Sequence, residues 1–458
     1  MSLSVSRKKS SLLFVLPLLA AFVSPGQAGA AEVDDVDTAE QREQQLVAGG
    51  WANQGQYASR WIEQAFQTVR DQKVGVLPAS RLYAMVAVAI YDAVNGIDRA
   101  RWVGREHALV APTGAPPLGL RSAAAAAAAH AVLVSLAPGQ APVLDQALAA
   151  DLTELGGASS TFVARGRDWG VQVGQQVIAL RAADGTEVAL TMPAGTAPGV
   201  HRTSYDARYS IMAPFGIATK EAYQAPAPPA LTNDVYTSAF IDSKAVGTHD
   251  GNPVHEAIAT FWGGEEGTAR ESGNWLQAAV AIAGQRRLER SISATARLYA
   301  MVGMATADGG MVSHDAKADY FTWRVVPAIH EAEIDGNPAT VADPAWVPRN
   351  GTGNLGSPEY TSGAAAFAGA SSAAIEHFFC SSDVDFCFAT DVAPSPRCYA
   401  TPLEAAREGG RARVLQGVHF QFSVDAAIAQ GRAVGAEIGT RRLRRVLPSG
   451  RVLAACSP

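Results

Sequence analysis

The sequence predicts a mainly α-helical protein, and three observations support this fold class. Alanine-rich, amphipathic runs dominate the chain, and the alternation typical of strands is scarce. Pro78 and Pro142 stand where two of these runs begin, as the first turn of a helix allows. A segment of one run recurs later in the chain, which is typical of a repeated helical unit. We therefore expect a set of packed helix bundles.

The predicted helices cover most of the chain from residue 56 onward. They span 56–71, 79–95, 120–136, 142–154, 160–183, 233–246, 253–262, 273–288, 291–310, 315–324, 362–379, 403–416 and 424–439. Connections rich in glycine and proline lie at 111–119, 184–231 and 331–361. The last two are long for a compact domain, so we expect site loops or crossings between bundles there.

The repeat is the hexapeptide RLYAMV at 81–86, which returns at 297–302 with an offset of 216 residues. At the same offset Asp92 falls on Asp308. This agreement favours a duplicated helical half, and the alternative is chance similarity of two alanine-rich helices. If duplication is right, the long connection near 184–231 joins two similar bundles.

Composition excludes several classes of protein. In 458 residues, 48% are apolar and only 17% are charged, so the chain is not a disordered one. Lys and Arg number 37 against 43 Asp and Glu, so no basic excess favours nucleic-acid binding. Four cysteines are too few for a disulfide-dense scaffold and lack zinc-site spacing. After the first thirty residues no uninterrupted apolar stretch is long enough to predict a membrane span.

The first thirty residues have the pattern of a secretory signal peptide. Residues 7–9 are cationic, 12–23 are apolar apart from one proline, and 28–30 read Ala-Gly-Ala, a typical cleavage pattern. We therefore predict export to the periplasm or the medium. The cysteines could pair there in any of three ways; they are Cys380, Cys387, Cys398 and Cys456.

Two segments of the second half combine cations or hydroxyls with helix positions. Lys317 and Arg324 are seven residues apart, close to two helical turns, so we expect both on one helical face with His314. Ser362 and Gly363 follow a proline-containing loop and begin an alanine-rich run, whose N-terminus would offer free N–H groups. The ordinary interpretations are a solvated helical face and a plain capped helix.

A third segment carries an arginine and a histidine. Arg413 is expected near a helix end, and His419 on the turn that follows Gly417. Taken alone, such residues are more often a surface charge and a structural histidine.

In this order the three segments resemble the superfamily of vanadium-dependent haloperoxidases and type-2 phosphatidic acid phosphatases. That family writes its oxyanion site as K-x6-R-P, P-S-G-H and S-R-x5-H, and the secreted bacterial haloperoxidase-like branch is the most similar. The corresponding residues here are Lys317-x6-Arg324-Val325, Thr361-Ser362-Gly363-Ala364 and Ala412-Arg413-x5-His419. The sequence therefore departs from the family at Val325 and at Ala364, where the family has Pro and His.

The resemblance implies two packed four-helix-type bundles and a layout of the chain. After the signal peptide at 1–30 come an N-terminal helical half at 31–231 and a C-terminal bundle at 232–440, followed by a tail at 441–458. The C-terminal bundle would carry the oxyanion site.

The resemblance also implies roles for the motif residues. Lys317, Arg324 and Arg413 would hold vanadate, or phosphate as the alternative occupant. Ser362 and Gly363 would complete this cradle. His419 would bind the vanadium of a peroxidase, or accept a phosphoryl group in a phosphatase.

Two further roles concern proton transfer and orientation. Ala364 stands at the family's acid–base histidine, so activity is expected to be impaired unless another group replaces it, and His314 is the candidate. His419 needs an acceptor that orients its ring, and Asp425 is the nearest candidate in sequence.

Three functions follow from these readings. The first is an exported, vanadate-dependent haloperoxidase-like oxidoreductase that acts on peroxide, a halide and an organic acceptor. The second is an acid-phosphatase-type hydrolase of phosphate monoesters that forms phospho-His419. The third is an oxyanion-binding homologue without redox activity. None requires a nucleic acid or a membrane span, and an oligomer is compatible with each.

Overall fold

The computed structural model describes residues 54–157, 159–351 and 356–455. The predicted signal peptide and Cys456 lie outside these residues. Within them the protein is mainly helical, which confirms the predicted fold class. The domain bounds inferred from the sequence stay a prediction.

We number the helices and strands in chain order. The helices are α1 (Gln56–Asp71), α2 (Val76–Ala100), α3 (Arg121–Leu136), α4 (Ala141–Glu154), α5 (Thr161–Arg181), α6 (Asp234–Val246), α7 (Pro253–Phe261), α8 (Arg270–Gln285), α9 (Ile292–Tyr320), α10 (Val325–His330), α11 (Gly363–Phe379), α12 (Pro402–Leu415) and α13 (Gln421–Arg441). The strands are β1 (Thr191–Met192), β2 (Tyr205–Asp206), β3 (Phe386–Thr390) and β4 (Ala393–Tyr399). The strands pair as two antiparallel hairpins, β1 with β2 and β3 with β4.

The central helices α2 and α9 form the middle of the apolar core. Both are buried along most of their length, and each packs against the other. Small residues let their backbones approach, since a Cβ added at Gly303 of α9 would lie 3.2 Å from the Ala87 Cβ of α2. Helix α2 is long and apolar enough to cross a membrane, but 78% of its apolar window is buried inside the fold. Its composition is therefore that of a core helix.

The repeated hexapeptides lie on these two helices, and the paired aspartates make matching contacts. Asp92 accepts hydrogen bonds of 2.7–2.9 Å from three successive backbone N–H groups at 108–110. Asp308 accepts three of 2.6–3.0 Å from the N–H groups at 215–217. Each carboxylate thus fixes a loop against a central helix. This equivalence supports the duplication, which itself stays a prediction.

The predicted helices at 291–310 and 315–324 are wrong as separate elements. One helix of 29 residues, α9, runs from Ile292 to Tyr320. Phe321 has a left-handed φ of 46° and ends it, so Arg324 lies beyond the helix as the N-cap of α10. Lys317 and Arg324 therefore do not share a helical face. The turn at Phe321 brings them to the same site by another route.

The hairpin β3–β4 was not predicted from the sequence. Cys387 and Cys398 are opposite each other in it and form a disulfide. This selects one pair among the possibilities that the sequence left open.

Candidate active site

A cavity of about 440 Å³ collects the charged and imidazole groups of the three motifs. Six predicted residues line it: His314, Lys317, Arg324, Gly363, Arg413 and His419. They come from the last turn of α9, the start of α10, the start of α11, the last turn of α12 and the link between α12 and α13. Residues about a hundred positions apart in sequence are thus brought together.

Two of the cations are buried without an ion pair. Lys317 and Arg324 are 1% and 4% exposed, and no carboxylate oxygen of a described residue lies within 4.0 Å of either charged group. Lys317 Nζ donates to two backbone carbonyls in the loop before α11. Arg324 donates to Ser357 and to the carbonyl of Val418. Neutral carbonyls orient these cations but do not balance their charge.

The third cation, Arg413, is held by two side chains. Its Nη1 donates to Gln416 and lies 3.2 Å from Oε1 of Glu271, which comes from α8 and also lines the cavity. Its Nε is buried and has no hydrogen-bond partner among the described residues. One donor of this guanidinium therefore remains available for a ligand.

The N-terminus of α11 forms another part of the site. Ser362 is the N-cap residue, as predicted, but its side chain makes no capping hydrogen bond. Its Oγ is buried and has no partner among the described residues. Ser362 does not line the cavity itself, but Gly363, the next residue, does. An unpaired buried hydroxyl beside a cavity is the feature expected of a ligand donor.

The hydrogen bonds of His419 settle which ring nitrogen carries the proton. Arg324 can only donate, and its Nη1 lies 3.1 Å from His419 Nε2, so Nε2 carries the lone pair. Nδ1 therefore carries the proton and donates to Oε1 of Glu359 over 2.9 Å. The backbone N–H of Phe420 donates to the same oxygen over 3.0 Å. Glu359 thus holds His419 in the tautomer whose Nε2 carries no proton.

The acceptor that orients His419 is Glu359 and not Asp425. Asp425 instead accepts from Gln421 on an exposed part of α13. The prediction of Asp425 is wrong because closeness in sequence does not decide which acceptor contacts the ring. Glu359 reaches the ring from the loop before α11.

His314 reaches the cavity beside the position where the resembling family has its acid–base histidine. Its Nε2 would lie 3.8 Å from a Cβ added at Gly363, and Ala364 lines the same cavity. Its Nδ1 lies 2.6 Å from the hydroxyl of Tyr205, a buried residue of β2. Burial raises the pKa of Tyr205, so the phenol keeps its proton and stays hydrogen-bonded to Nδ1. This bond holds the ring with Nε2 on the cavity side.

Burial and mutual repulsion shape the electrostatics of the site. Burial, followed by repulsion from Arg324, lowers the pKa of Lys317 well below its usual value. Burial also lowers the pKa of Arg324 to about 10 and raises that of Glu359 to about 6. The pKa of His419 is lowered by burial and then by the positive charge around it. A bound anion would relieve the repulsion that contributes to these shifts.

Three buried histidines should make the protein less stable in mild acid. Burial, followed by nearby Lys317 or Arg324, lowers the pKa values of His314, His419 and His201, the last to about 4. The native state then binds fewer protons than the unfolded chain, in which histidine titrates near pH 6.5, so stability falls as pH falls below that value. Each histidine contributes about 1.4 kcal/mol per pH unit to this fall.

One group at the site opposes this trend. Because the pKa of Glu359 is raised to about 6, that carboxyl binds a proton in the native state before it does in the unfolded state. Denaturant unfolding between about pH 7 and pH 5 should therefore show a net loss of stability. His419→Gln should flatten the dependence, because it removes one histidine with a lowered pKa. Equal slopes for the natural protein and this variant would contradict the expectation.

The donor set suits an anion and not a metal cation. Within the described ranges no group of three or more His, Cys, Asp or Glu side chains could hold a metal ion. The cavity instead presents three cations, and two further polar atoms, Ser362 Oγ and Arg413 Nε, are buried without partners. A tetrahedral oxyanion, phosphate or vanadate, fits such donors because each of its oxygens accepts hydrogen bonds.

The fold and the site define a helical-bundle protein with a buried, cation-lined cavity. Residues 297–446 match the family model described as the VCPO second helical-bundle domain. The structure is similar to a bacterial vanadium-dependent iodoperoxidase, with a TM-score of 0.69 and 19% identity over 84% of this chain and 95% of that one. It is also similar to the holo and apo forms of a bacterial vanadium-dependent chloroperoxidase, with TM-scores of 0.63 and 0.62 and 16% identity over 80% of this chain and 92% and 93% of those. Among curated proteins none matches by sequence.

The family model matches the range that holds all three motifs, and the fold of the described residues is that of the vanadium-dependent haloperoxidases. The family resemblance read from the three motifs is thereby confirmed. The roles of the individual site residues stay predictions.

Three residues of the site had no predicted role. Glu359 stands two residues before the second motif. A carboxylate so close to a site motif could have been considered as the acceptor for His419. Tyr205 and Glu271 carry no local signal, since each lies outside the motifs and reaches the cavity only through folding.

Proposed function

We propose that the protein binds vanadate in this cavity and catalyses peroxide-dependent oxidation of a halide. The observation that carries the proposal is the pair of buried cations, Lys317 and Arg324, neither of which has a carboxylate oxygen within 4.0 Å among the described residues. The charge of Glu359 acts on both, but one carboxylate does not balance two cations. Buried charges are stable only when they are paired, so a site of this kind requires an anion. The resemblance to the vanadium-dependent haloperoxidases supports vanadate as that anion.

The residues would share the work of holding the group. Lys317, Arg324 and Arg413 would balance the charge of the oxyanion, and Ser362 Oγ and the start of α11 would donate hydrogen bonds. His419 would bind vanadium through Nε2 while Glu359 keeps the ring in the required tautomer. Since Arg324 now donates to Nε2, its guanidinium would turn from the ring to the oxyanion. When bound, vanadate would supply a Lewis-acidic centre that activates peroxide toward the halide.

His314 would move the protons of the reaction. The hydroxyl of Tyr205 orients its imidazole ring. The ring lies in the part of the cavity where Ala364 supplies no proton-transfer group. The pKa of His314 is lowered by burial and by Lys317 and Arg324. An anion on those cations removes part of this effect, so the ring could gain and lose a proton near neutral pH. The expectation that Ala364 impairs activity therefore depends on His314.

The cavity also has room for an organic acceptor. An oxyanion would fill only part of a space of about 440 Å³. Part of the remaining wall is apolar and comes from the start of α2 and from α11, with Val76, Leu77, Pro78 and Phe367. Such a wall would favour an apolar or aromatic group beside the oxyanion.

The same geometry supports a phosphate-monoester hydrolase as the second candidate. A neutral His419 with an unprotonated Nε2 is the form that a nucleophile needs once Arg324 turns to the oxyanion, and phospho-His419 would be the intermediate. A homologue that binds an oxyanion without chemistry is the third. Assays of halide oxidation with peroxide and of phosphate-ester hydrolysis, run on one preparation of known vanadium content, separate the three.

Vanadate or phosphate should stabilise the folded protein. An anion that binds only the native state at 100 times its Kd adds about 2.7 kcal/mol to the free energy of unfolding. Differential scanning fluorimetry should therefore show a higher Tm with either anion. Arg413→Ala should abolish the rise, because it removes the cation that has an unpaired buried donor.

The chain offers a matched control for this variant. Arg411 lies on the same helix and pairs with Asp242, and it does not line the cavity. Arg411→Ala should keep the rise in Tm. If millimolar vanadate and phosphate both leave the Tm of the natural protein unchanged, the site binds neither anion.

We also propose that the protein is exported. The proposal depends on the signal-peptide pattern at 1–30, which lies outside the described residues. The disulfide between Cys387 and Cys398 supports it, because such bonds persist in oxidising compartments.

A further inference from the structure

We propose that Glu271 makes the cavity selective for oxyanions that carry a proton. Phosphate and vanadate keep at least one proton at neutral pH, whereas sulfate keeps none. The inference rests on the proposed oxyanion site and names the class of anion that this site accepts.

A carboxylate inside a cavity for anions is the unusual observation. Oε1 of Glu271 lies 3.2 Å from Nη1 of Arg413, and both residues line the same cavity. The side chain of Glu271 is only 14% exposed. Its Oε2 is buried and has no hydrogen-bond donor among the described residues. A ligand could therefore supply the hydrogen-bond donor that Oε2 of Glu271 lacks.

An oxyanion held by Arg413 would approach this carboxylate. An unprotonated oxygen would be repelled, because two negative groups would face each other in a poorly solvated space. A protonated oxygen would instead donate a hydrogen bond to Glu271. Hydrogen bonds to charged groups contribute about 1.5–3 kcal/mol, which corresponds to a difference of about tenfold or more in affinity.

The backbone at Gly264 holds the carboxylate in place. A Cβ added at Gly264 would lie 2.4 Å from Cδ and from Oε2 of Glu271. Any side chain at position 264 would therefore displace the carboxyl group from Arg413. Glycine at this position lets Glu271 take part in the site, and it offers a second way to move the carboxylate.

The experiment compares the affinities for inorganic phosphate and sulfate at pH 7 by isothermal titration calorimetry, at matched ionic strength. The natural protein should bind phosphate about tenfold or more tightly than sulfate. Glu271→Gln should lose most of this preference, chiefly by binding sulfate better. Gly264→Ala should change the preference in the same direction. Asp242→Asn removes the carboxylate that pairs with Arg411, an arginine on the helix of Arg413 that does not line the cavity, so it should keep the preference.

The outcomes are distinguishable. An equal phosphate-to-sulfate ratio in the natural protein, or an unchanged ratio in Glu271→Gln, would overturn the role of Glu271 while leaving the oxyanion site intact. Absence of binding by both anions in the natural protein would overturn the proposed function and this inference with it. Thermal unfolding without anion identifies any variant that fails to fold, and Gly264→Ala then decides the case with Glu271 unchanged.

Discussion

Replacement of His314 by alanine should reduce peroxide-dependent halide oxidation by about 10²–10⁴-fold, the range that general acid–base groups contribute. The reason is that Ala364 supplies no proton-transfer group, so His314 is the imidazole that the cavity offers beside the start of α11. If the protein proves to be a phosphatase, the same loss should appear in ester hydrolysis. Steady-state kinetics in both assays measure the effect.

The control for this variant is the binding of the oxyanion. His314 is not one of the cations that would hold it, so the rise in Tm with vanadate should persist in His314→Ala. Tyr205→Phe should keep His314 but remove the hydroxyl that is hydrogen-bonded to its Nδ1, and should shift the pH profile of kcat. Full activity of His314→Ala with vanadate bound would show that protons move by another route.

Introducing a histidine at position 364 should recover part of the activity that His314→Ala loses. Ala364 lines the cavity in the first turn of α11, so a histidine there would lie beside the start of the helix, on the side that His314 reaches. In a His314→Ala background, Ala364→His should recover activity by about tenfold or more, the lower part of what an acid–base group provides. In the natural background the gain should be smaller, because His314 already supplies the group.

A matched variant tests the chemistry of this rescue. Ala364→Gln introduces a side chain of similar size that does not titrate, so it should not restore activity to His314→Ala. Equal rescue by glutamine and histidine would mean that filling the cavity matters and proton transfer does not. Rescue of ester hydrolysis alone would favour the phosphatase.

The charge balance of the site explains why its residues act together. Glu359 interacts electrostatically with two cations, Lys317 and Arg324, and orients His419, and burial raises the pKa of its carboxyl to about 6. Its position lets one carboxylate serve both as a counter-charge and as the acceptor for the imidazole. Replacing a buried partner of this kind typically costs several kcal/mol, so Glu359 combines structural and functional roles.

Much of this protein could be read from the sequence. Helix positions follow from local periodicity, and the observed α1, α3 and α6 agree with their predicted bounds to within one residue. The order and spacing of the three motifs led to the resemblance to the vanadium-dependent haloperoxidases, because the spacing reflects the geometry of one site. The aspartates of the repeat, Asp92 and Asp308, marked helices that prove to be the centre of the core.

Other features depended on contacts between distant segments. The left-handed residue Phe321 ends the helix of Lys317, so Arg324 lies outside that helix. The periodicity of the sequence could not reveal this end, because the helical pattern continues past Tyr320. The hairpin that carries Cys387 and Cys398 is short and packs at the edge of the core, where local propensity is weak.

The sequence by itself determined the fold class, the resemblance to the vanadium-dependent haloperoxidases and the cations of the cavity, because these depend on local pattern and on motif spacing. Only the tertiary structure decided which groups complete the site. Glu359, Glu271 and Tyr205 are recognised by what they touch: the imidazole of His419, the guanidinium of Arg413 and the imidazole of His314. Hydrogen bonds and ion pairs act over about 3 Å, and the chain distances between these partners range from 60 to 142 residues, so folding alone creates the contacts.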